Sequence, residues 1–426
     1  MIASSSPASV AAAPPSRARA LAMWGLASSF FLYAFVQRVS PSVMVDELMR
    51  DFAVGAAVLG HLSAFYFYAY AVLQIPIGLL LDRFGGRRLM VVSLILAATG
   101  SMLFASATTI ETGYAGRLLI GAGVAASWVG ALTVAGQWLP PARFALFAGF
   151  TQALGMAGAV FGQAPLALAV AEFGWRATLA GLGAIAAALG FAIWLIVRDR
   201  APASVAVDAP RPRRAEGLRA VMAVRETWLC TGFGFAMTGG MLAFGGLWGV
   251  PFLQAVYGLD RPAAAGTVSL LFAAWGVSAP AIGWFSDRIG RRRPLLIGLG
   301  ALGAAALAVI VLAPPLPYPL LVALIVVHGA SASVMILGFA LVRERNDEAA
   351  GSTAMGVMNT AVVGSGAVMQ PLIGALLDAG WDGAVVAGAR VYAPETYRAA
   401  LAALPIVSAL GVAAAAFMRE TAPVRR

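Results

Sequence analysis

A 426-residue chain with 61% apolar residues, 11% charged residues and a mean hydropathy of +0.85 lies far outside the soluble range, where charged residues make up nearer a quarter. It reads as an integral membrane protein. The net charge of +10 comes from arginine alone, and the absence of lysine excludes a P-loop lysine or a Schiff-base lysine, and with the first of these ATP hydrolysis.

Twelve apolar segments long enough to span a bilayer follow in order, at 20–45, 55–81, 88–108, 113–138, 144–170, 177–198, 226–252, 265–285, 294–313, 317–342, 351–377 and 399–418. Residues 1–19, rich in Ala, Ser and Pro, read as a disordered tail. Residues 20–198 and 226–418 read as two six-helix bundles, 199–225 as a solvated linker and 419–426 as a second tail. Most arginines fall in alternate loops and tails. This is the positive-inside bias of a membrane protein, not a nucleic-acid patch, and it puts both termini in the cytoplasm and the chain in the inner (cytoplasmic) membrane, in direct contact with lipid.

Segment 1 carries Gln37 and Arg38 about 10 Å inside its outer end at 1.5 Å per residue. An arginine at that depth is either a functional cation or a side chain that snorkels outward. Tyr66 and Tyr70 in segment 2 lie one turn apart and share a face, lining a polar cavity or packing as aromatics. Segment 2 ends in Gly78-Leu79-Leu80-Leu81-Asp82-Arg83-Phe84-Gly85-Gly86-Arg87-Arg88. Half a chain later comes Gly283-Trp284-Phe285-Ser286-Asp287-Arg288-Ile289-Gly290-Arg291-Arg292-Arg293. In each copy the first glycine (Gly78, Gly283) permits close helix approach and the second (Gly85, Gly290) suits a turn with unusual dihedrals. Arg83, Arg87, Arg288 and Arg291 hold the loops on the cytoplasmic side. Asp82 and Asp287 are placed to face a helix N-terminus of the opposite half, near Gly351 and Ala145, as latches.

A second echo links Gly149-Phe150-Thr151-Gln152, Gln163 and Phe173-Gly174-Trp175 to Gly356-Val357-Met358-Asn359, Gln370 and Ala379-Gly380-Trp381. Two repeats at corresponding places support six helices per half. The four amides either bond helix to helix or face water. No Asp or Glu lies in the middle of any segment. With two histidines and the single Cys230, no catalytic constellation, metal site or cofactor is expected, and the chain reads as moving a solute, not transforming one. A lone guanidinium among amides, tyrosines, Trp128 and Trp248 suits a small carboxylate, with Arg38 as the contact. His328 either couples protons or completes a polar network.

The paired Asp-Arg stretches resemble the loop 2–3 and loop 8–9 signatures of the major facilitator superfamily, and the likeness covers nearly the whole chain. It implies an all-α fold of twelve transmembrane helices in two pseudo-symmetric bundles, a monomer, and alternating access to a site between the bundles. Arg117 with Gly121 and Gly123 is similar to the family's helix 4 signature, which is linked to proton movement. Tyr33-Ala34-Phe35-Val36-Gln37-Arg38-Val39-Ser40 and Trp138-Leu139-Pro140 before Arg143 resemble the anion:cation symporter branch, where the helix 1 arginine contacts the substrate carboxylate and protons drive uptake. The branch's acidic positions are Gln37 and Val124 here. The proline-glycine signature of drug antiporters is missing from segment 5. The expected function is secondary transport of a small organic anion, with or without a coupling proton or cation. The alternatives are a drug or metabolite exporter of the same superfamily and, from another class, a membrane sensor or polytopic enzyme.

Overall fold

The computed structural model describes residues 17–140, 143–199, 214–347 and 350–420. Eleven helical stretches are long and apolar enough to cross a bilayer, but one of them, Leu146–Ile196, runs for 51 residues. At 1.5 Å per residue that is roughly 75 Å, more than twice a hydrocarbon core. Gly174, with φ +76°, breaks it at the predicted Phe173-Gly174-Trp175 stop. Among the described residues there are therefore twelve spans. Span 1 is Arg17–Val43, span 2 Ala56–Phe84, span 3 Gly86–Ala105, span 4 Ile110–Trp138, span 5 residues 144–173 and span 6 residues 175–196. The second half repeats the set as Arg225–Tyr257, Arg261–Ile289, Arg293–Leu312, Tyr318–Arg345, Gly351–Ala379 and Pro394–Ala416. The described end of the predicted linker is a short helix, Arg214–Ala223, with Val221 buried.

The halves meet along span 2 against span 11 and span 5 against span 8. Contact is tightest on the face that carries a small antiparallel hairpin, Val385–Val386 paired with Ala389–Arg390. On this hairpin face a Cβ at Gly374 would lie 2.2 Å from the Ala56 carbonyl oxygen, and one at Gly60 would lie 2.7 Å from that of Gln370. Both neighbours are backbone and cannot swing away. Gly374→Ala is accordingly expected to cost this conformation about 1–3 kcal/mol of overpacking, read as a lower melting temperature of the purified protein. Toward the opposite face, which carries the two Asp-Arg loops, the glycines Gly78, Gly149, Gly283 and Gly356 have nothing within 4 Å of such a Cβ. The bundles are closed at the hairpin face and part toward the Asp-Arg face.

That splay corrects one expectation: Gly78 and Gly283 make no close helix contact in this conformation. The turn glycines behave as read, with Gly85 at φ +80° and Gly290 at φ +71° ending spans 2 and 8. An unforeseen pair of acids buttresses these turns. Asp199, just past span 6, accepts from the Arg87 backbone N–H at 2.9 Å. Glu420, just past span 12, accepts from the Arg292 and Arg293 N–H groups at 2.8 and 3.2 Å. Each half thus uses the acid after its last helix to cap its third, as free N–H groups at a helix start favour.

Candidate functional site

Span 1 breaks at Pro41. Proline has no N–H, so the carbonyl four residues back, that of Gln37, loses its helical donor and the chain turns into a short 3₁₀ segment, Ser40–Val43. The orphaned oxygen is recovered from two sides. Ser40 Oγ donates to it at 3.1 Å, and Arg117 of span 4 reaches across to donate from Nη1 at 2.9 Å. The other Arg117 amine donates to the Ser63 carbonyl at 3.3 Å, tying spans 1, 2 and 4 together.

Arg38 follows Gln37 directly and lies at the seam. Its guanidinium carbon is 4.2 Å from the Phe35 ring centroid, 5.3 Å from Tyr70, 5.8 Å from Tyr66 and 6.0 Å from Phe67. The Phe67 ring in turn lies 2.9 Å from where a Cβ of Gly366 would stand, on span 11 of the other half. Arg38 is 8% exposed, its Nε has no hydrogen-bond partner, and no carboxylate pairs with it among the described residues. An anion from outside would neutralise a buried guanidinium that sits in a box of rings without its own counter-ion. Arg117 shares the Tyr66 ring with Arg38, its own guanidinium carbon lying 5.1 Å from the same centroid.

Several candidates point elsewhere. Gln37 is fully buried and turned toward span 3, donating to the Tyr33 hydroxyl at 2.6 Å and to Ser101 Oγ at 2.9 Å. Successive helical residues differ by 100° in direction, so Gln37 and Arg38 cannot face the same way. Trp248 is fully buried as well, and donates to the Gln370 carbonyl at 3.0 Å. It ends a widened π turn, Phe244–Trp248, which disturbs the helical ladder of span 7. Two amides answer that turn: Gln370 donates to the Leu242 carbonyl at 2.9 Å, and Gln163, from the other half, to that of Gly245 at 2.8 Å. The hydroxyl of Tyr66 donates to the Ala34 carbonyl at 3.0 Å. Trp128 is half-buried beside Phe31 at 5.0 Å. Gln152 and Asn359, the paired amides of spans 5 and 11, are half-buried and hold no hydrogen bond among the described residues.

Of the two coupling candidates, Arg117 is fully buried and engaged with carbonyls as above. His328 packs inside the second bundle, its Nδ1 2.9 Å from the Gly303 carbonyl and its Nε2 buried without a partner. The side chain of Asp82 lies outside the described residues. Asp287 is 67% exposed and paired with Arg292 of its own half at 3.6 Å, not with span 5. Arg83 lies beside Phe84 and Arg288 beside Trp284, Arg291 is exposed, and Arg87 donates to the Trp194 carbonyl.

The hairpin face holds what sequence reading missed. Asp378, at the end of span 11, accepts from the N–H groups of Ala56 and Ala57 at the start of span 2, at 3.1 and 2.9 Å. Tyr392 and Arg390 donate to the same carboxylate at 2.5 and 3.3 Å. Burial first, and then the bond to Asp378, hold the Tyr392 phenol above its ordinary range, so it remains a donor. Glu47 and Arg261 form a second tie between halves at 2.6 Å. A signal was present in the repeat itself, since Glu172 and Asp378 both stand just before the glycine-tryptophan pair.

Comparison with known proteins agrees with this architecture. The family model described as Major Facilitator Superfamily matches residues 26–370 and 250–426. Among curated relatives, the probable galactarate/D-glucarate transporter GudP of Bacillus subtilis is 25% identical over 43% of this chain and 42% of its own length. The nitrate/nitrite transporter NrtP of Picosynechococcus is 26% identical over 49% and 43%. The probable nitrate/nitrite transporter NarK2 of Mycobacterium tuberculosis is 26% identical over 69% and 72%. The chain spans about two-fifths of the length of the first curated relatives it matches. In fold it is similar to a bacterial homologue of the human lysosomal transporter Spinster in an inward-facing, occupied conformation, with TM-score 0.76 and 16% identity over 92% of this chain and 95% of that one. It is equally similar to the nucleoside transporter NupG, with TM-score 0.76 and 15% identity over 93% and 99%. With two six-helix halves joined as they are here and a family match over most of its length, the chain belongs to the Major Facilitator Superfamily.

Proposed function

We propose that this chain carries a small organic anion across the membrane by alternating access, with Arg38 as the contact for its carboxylate. The observation that carries the reading is the guanidinium of Arg38 at the seam between the halves, which no carboxylate pairs among the described residues and which Phe35, Tyr66, Phe67 and Tyr70 box in. The names of the relatives support it, since galactarate, glucarate, nitrate and nitrite are all anions. The missing coupling acids, Gln37 and Val124, leave no titratable group at the positions the symporter branch uses, and we assign no coupling ion. The arginine bias puts the Asp-Arg face and both termini in the cytoplasm of a cell with this chain in its inner membrane. On that orientation the conformation described here is open to the cytoplasm, and Asp82 and Asp287 would engage span 11 and span 5 only in the opposite one.

The test is counterflow in proteoliposomes together with thermal stabilisation by small carboxylates. Arg38→Gln is expected to weaken carboxylate affinity by about tenfold, the scale of one charge-assisted hydrogen bond. Unchanged affinity would refute the contact. Competition by apolar cations in place of anions would favour the exporter, and binding without flux a sensor.

A further inference from the structure

Resting on that reading, we infer that the solute is a singly charged carboxylate with a flat, apolar body, not a sugar acid or a dicarboxylate. The first argument is a charge count. Among the described residues only Arg38 and Arg117 place a guanidinium in the middle of the spans, and no lysine exists to supply another cation. Arg117 is fully buried and engaged with two backbone carbonyls. One cation remains for the solute. A second carboxylate on the same molecule would be buried without a partner, which is among the costliest arrangements a protein interior offers.

The second argument is a hydrogen-bond inventory. A sugar acid arrives with several hydroxyls, each hydrated, and a site that accepts it must replace those bonds. Here the phenol of Tyr66 is taken by Ala34, and that of Tyr33 by Gln37 and Ser101. Gln163 and Gln370 serve span 7, and Gln74 donates to the Ala125 carbonyl at 3.3 Å. Left over are the amides of Gln152 and Asn359, the hydroxyls of Ser63, Ser127, Thr231 and Thr238, and the phenol of Tyr70. Of these, Tyr70 alone belongs to the ring box around Arg38, and one phenol does not replace the water shell of a polyol.

The third argument is shape. Four rings stand within about 6 Å of the guanidinium carbon. A planar acid whose carboxylate meets Arg38 can lay its body among those rings, gaining apolar burial and offset ring contacts. The rings that hold the guanidinium would thus also select what it binds.

The experiment measures thermal stabilisation and counterflow competition by the purified full chain with benzoate, benzamide, gluconate and terephthalate. The expected result is that benzoate binds at least about tenfold more tightly than the other three, since each lacks the charge, lacks the apolar body or adds a second charge. Phe35→Leu, which stays apolar but removes the nearest ring, should lower benzoate affinity several-fold while the melting temperature without solute falls only modestly. If gluconate or terephthalate equals or exceeds benzoate, this inference is overturned while the anion-carrier reading stands. If no anion on the panel binds, both fall.

Discussion

Asp378→Asn is expected to move the carrier out of the conformation described here by roughly thirtyfold or more in population. The carboxylate of Asp378 accepts four hydrogen bonds: two from the first N–H groups of span 2, one from Tyr392 and one from Arg390. Bonds to a charged group contribute about 1.5–3 kcal/mol each, and a helix N-terminus favours an anion by a further fraction of that. The amide keeps the shape and one acceptor oxygen but gives up the charge. A loss of about 2–3 kcal/mol on one side of a two-state equilibrium is a shift of roughly thirty- to hundredfold. The geometry repeats, at the other ends of the same two helices, what is proposed for Asp82. Asp378 at the end of span 11 caps the start of span 2, and Asp82 at the end of span 2 would cap the start of span 11. Rocking the bundles cannot satisfy both at once, so each acid would favour one access state. The measurement is maleimide labelling of Gly356→Cys in a Cys230→Ser background. Gly356 is exposed on the open side with nothing within 4 Å of its Cβ position. Labelling should slow when Asp378→Asn is added, because that side then spends more time shut. An unchanged rate would mean that the hairpin face is held by packing such as Gly374 against Ala56, not by this carboxylate.

Much of the fold was legible because it depends on short-range chemistry. Apolar runs of bilayer length set the spans, and Gly85, Gly174 and Gly290 ended helices at positive φ, which glycine adopts without steric cost. Gln163 and Gln370 joined helix to helix, which is the more economical use of an amide away from water. What a sequence cannot carry is the direction of a side chain relative to a seam created by tertiary packing. Gln37 stands next to Arg38 in the chain but turns away to bond Ser101 of span 3, and Trp248 braces a π turn that no residue pattern announces. Gly78 and Gly283 suit a close helix approach that the packing of this conformation does not make. Asp378 escaped notice because its partners, Ala56 and Ala57, are more than 300 residues away and contribute only backbone.

The helix 4 resemblance makes Arg117 a candidate for proton movement, and its geometry leads to a different expectation. Its guanidinium donates to the one carbonyl of span 1 that Pro41 leaves without a helical partner, and that carbonyl belongs to the residue before Arg38. Arg117 thereby fixes where span 1 stops and where the Arg38 side chain leaves it. Arg117→Met fills a similar volume and removes the donor, so the Gln37 oxygen is left with Ser40 alone and that of Ser63 loses its link to span 4. A buried carbonyl deprived of its partner costs about 1–3 kcal/mol. The chain relieves that cost by shifting the end of span 1, and carboxylate affinity should fall by roughly ten- to hundredfold. Adding Pro41→Ala to Arg117→Met should restore part of it, because an alanine at 41 brings back an N–H four residues after Gln37 and lets the helix satisfy the oxygen itself. Pro41→Ala alone is expected to do less than Arg117→Met, since Arg117 still holds the carbonyl. The coupling energy of this double-mutant cycle separates positioning from charge. If the double variant binds no better than Arg117→Met, then the positive charge of Arg117 acts on the solute directly.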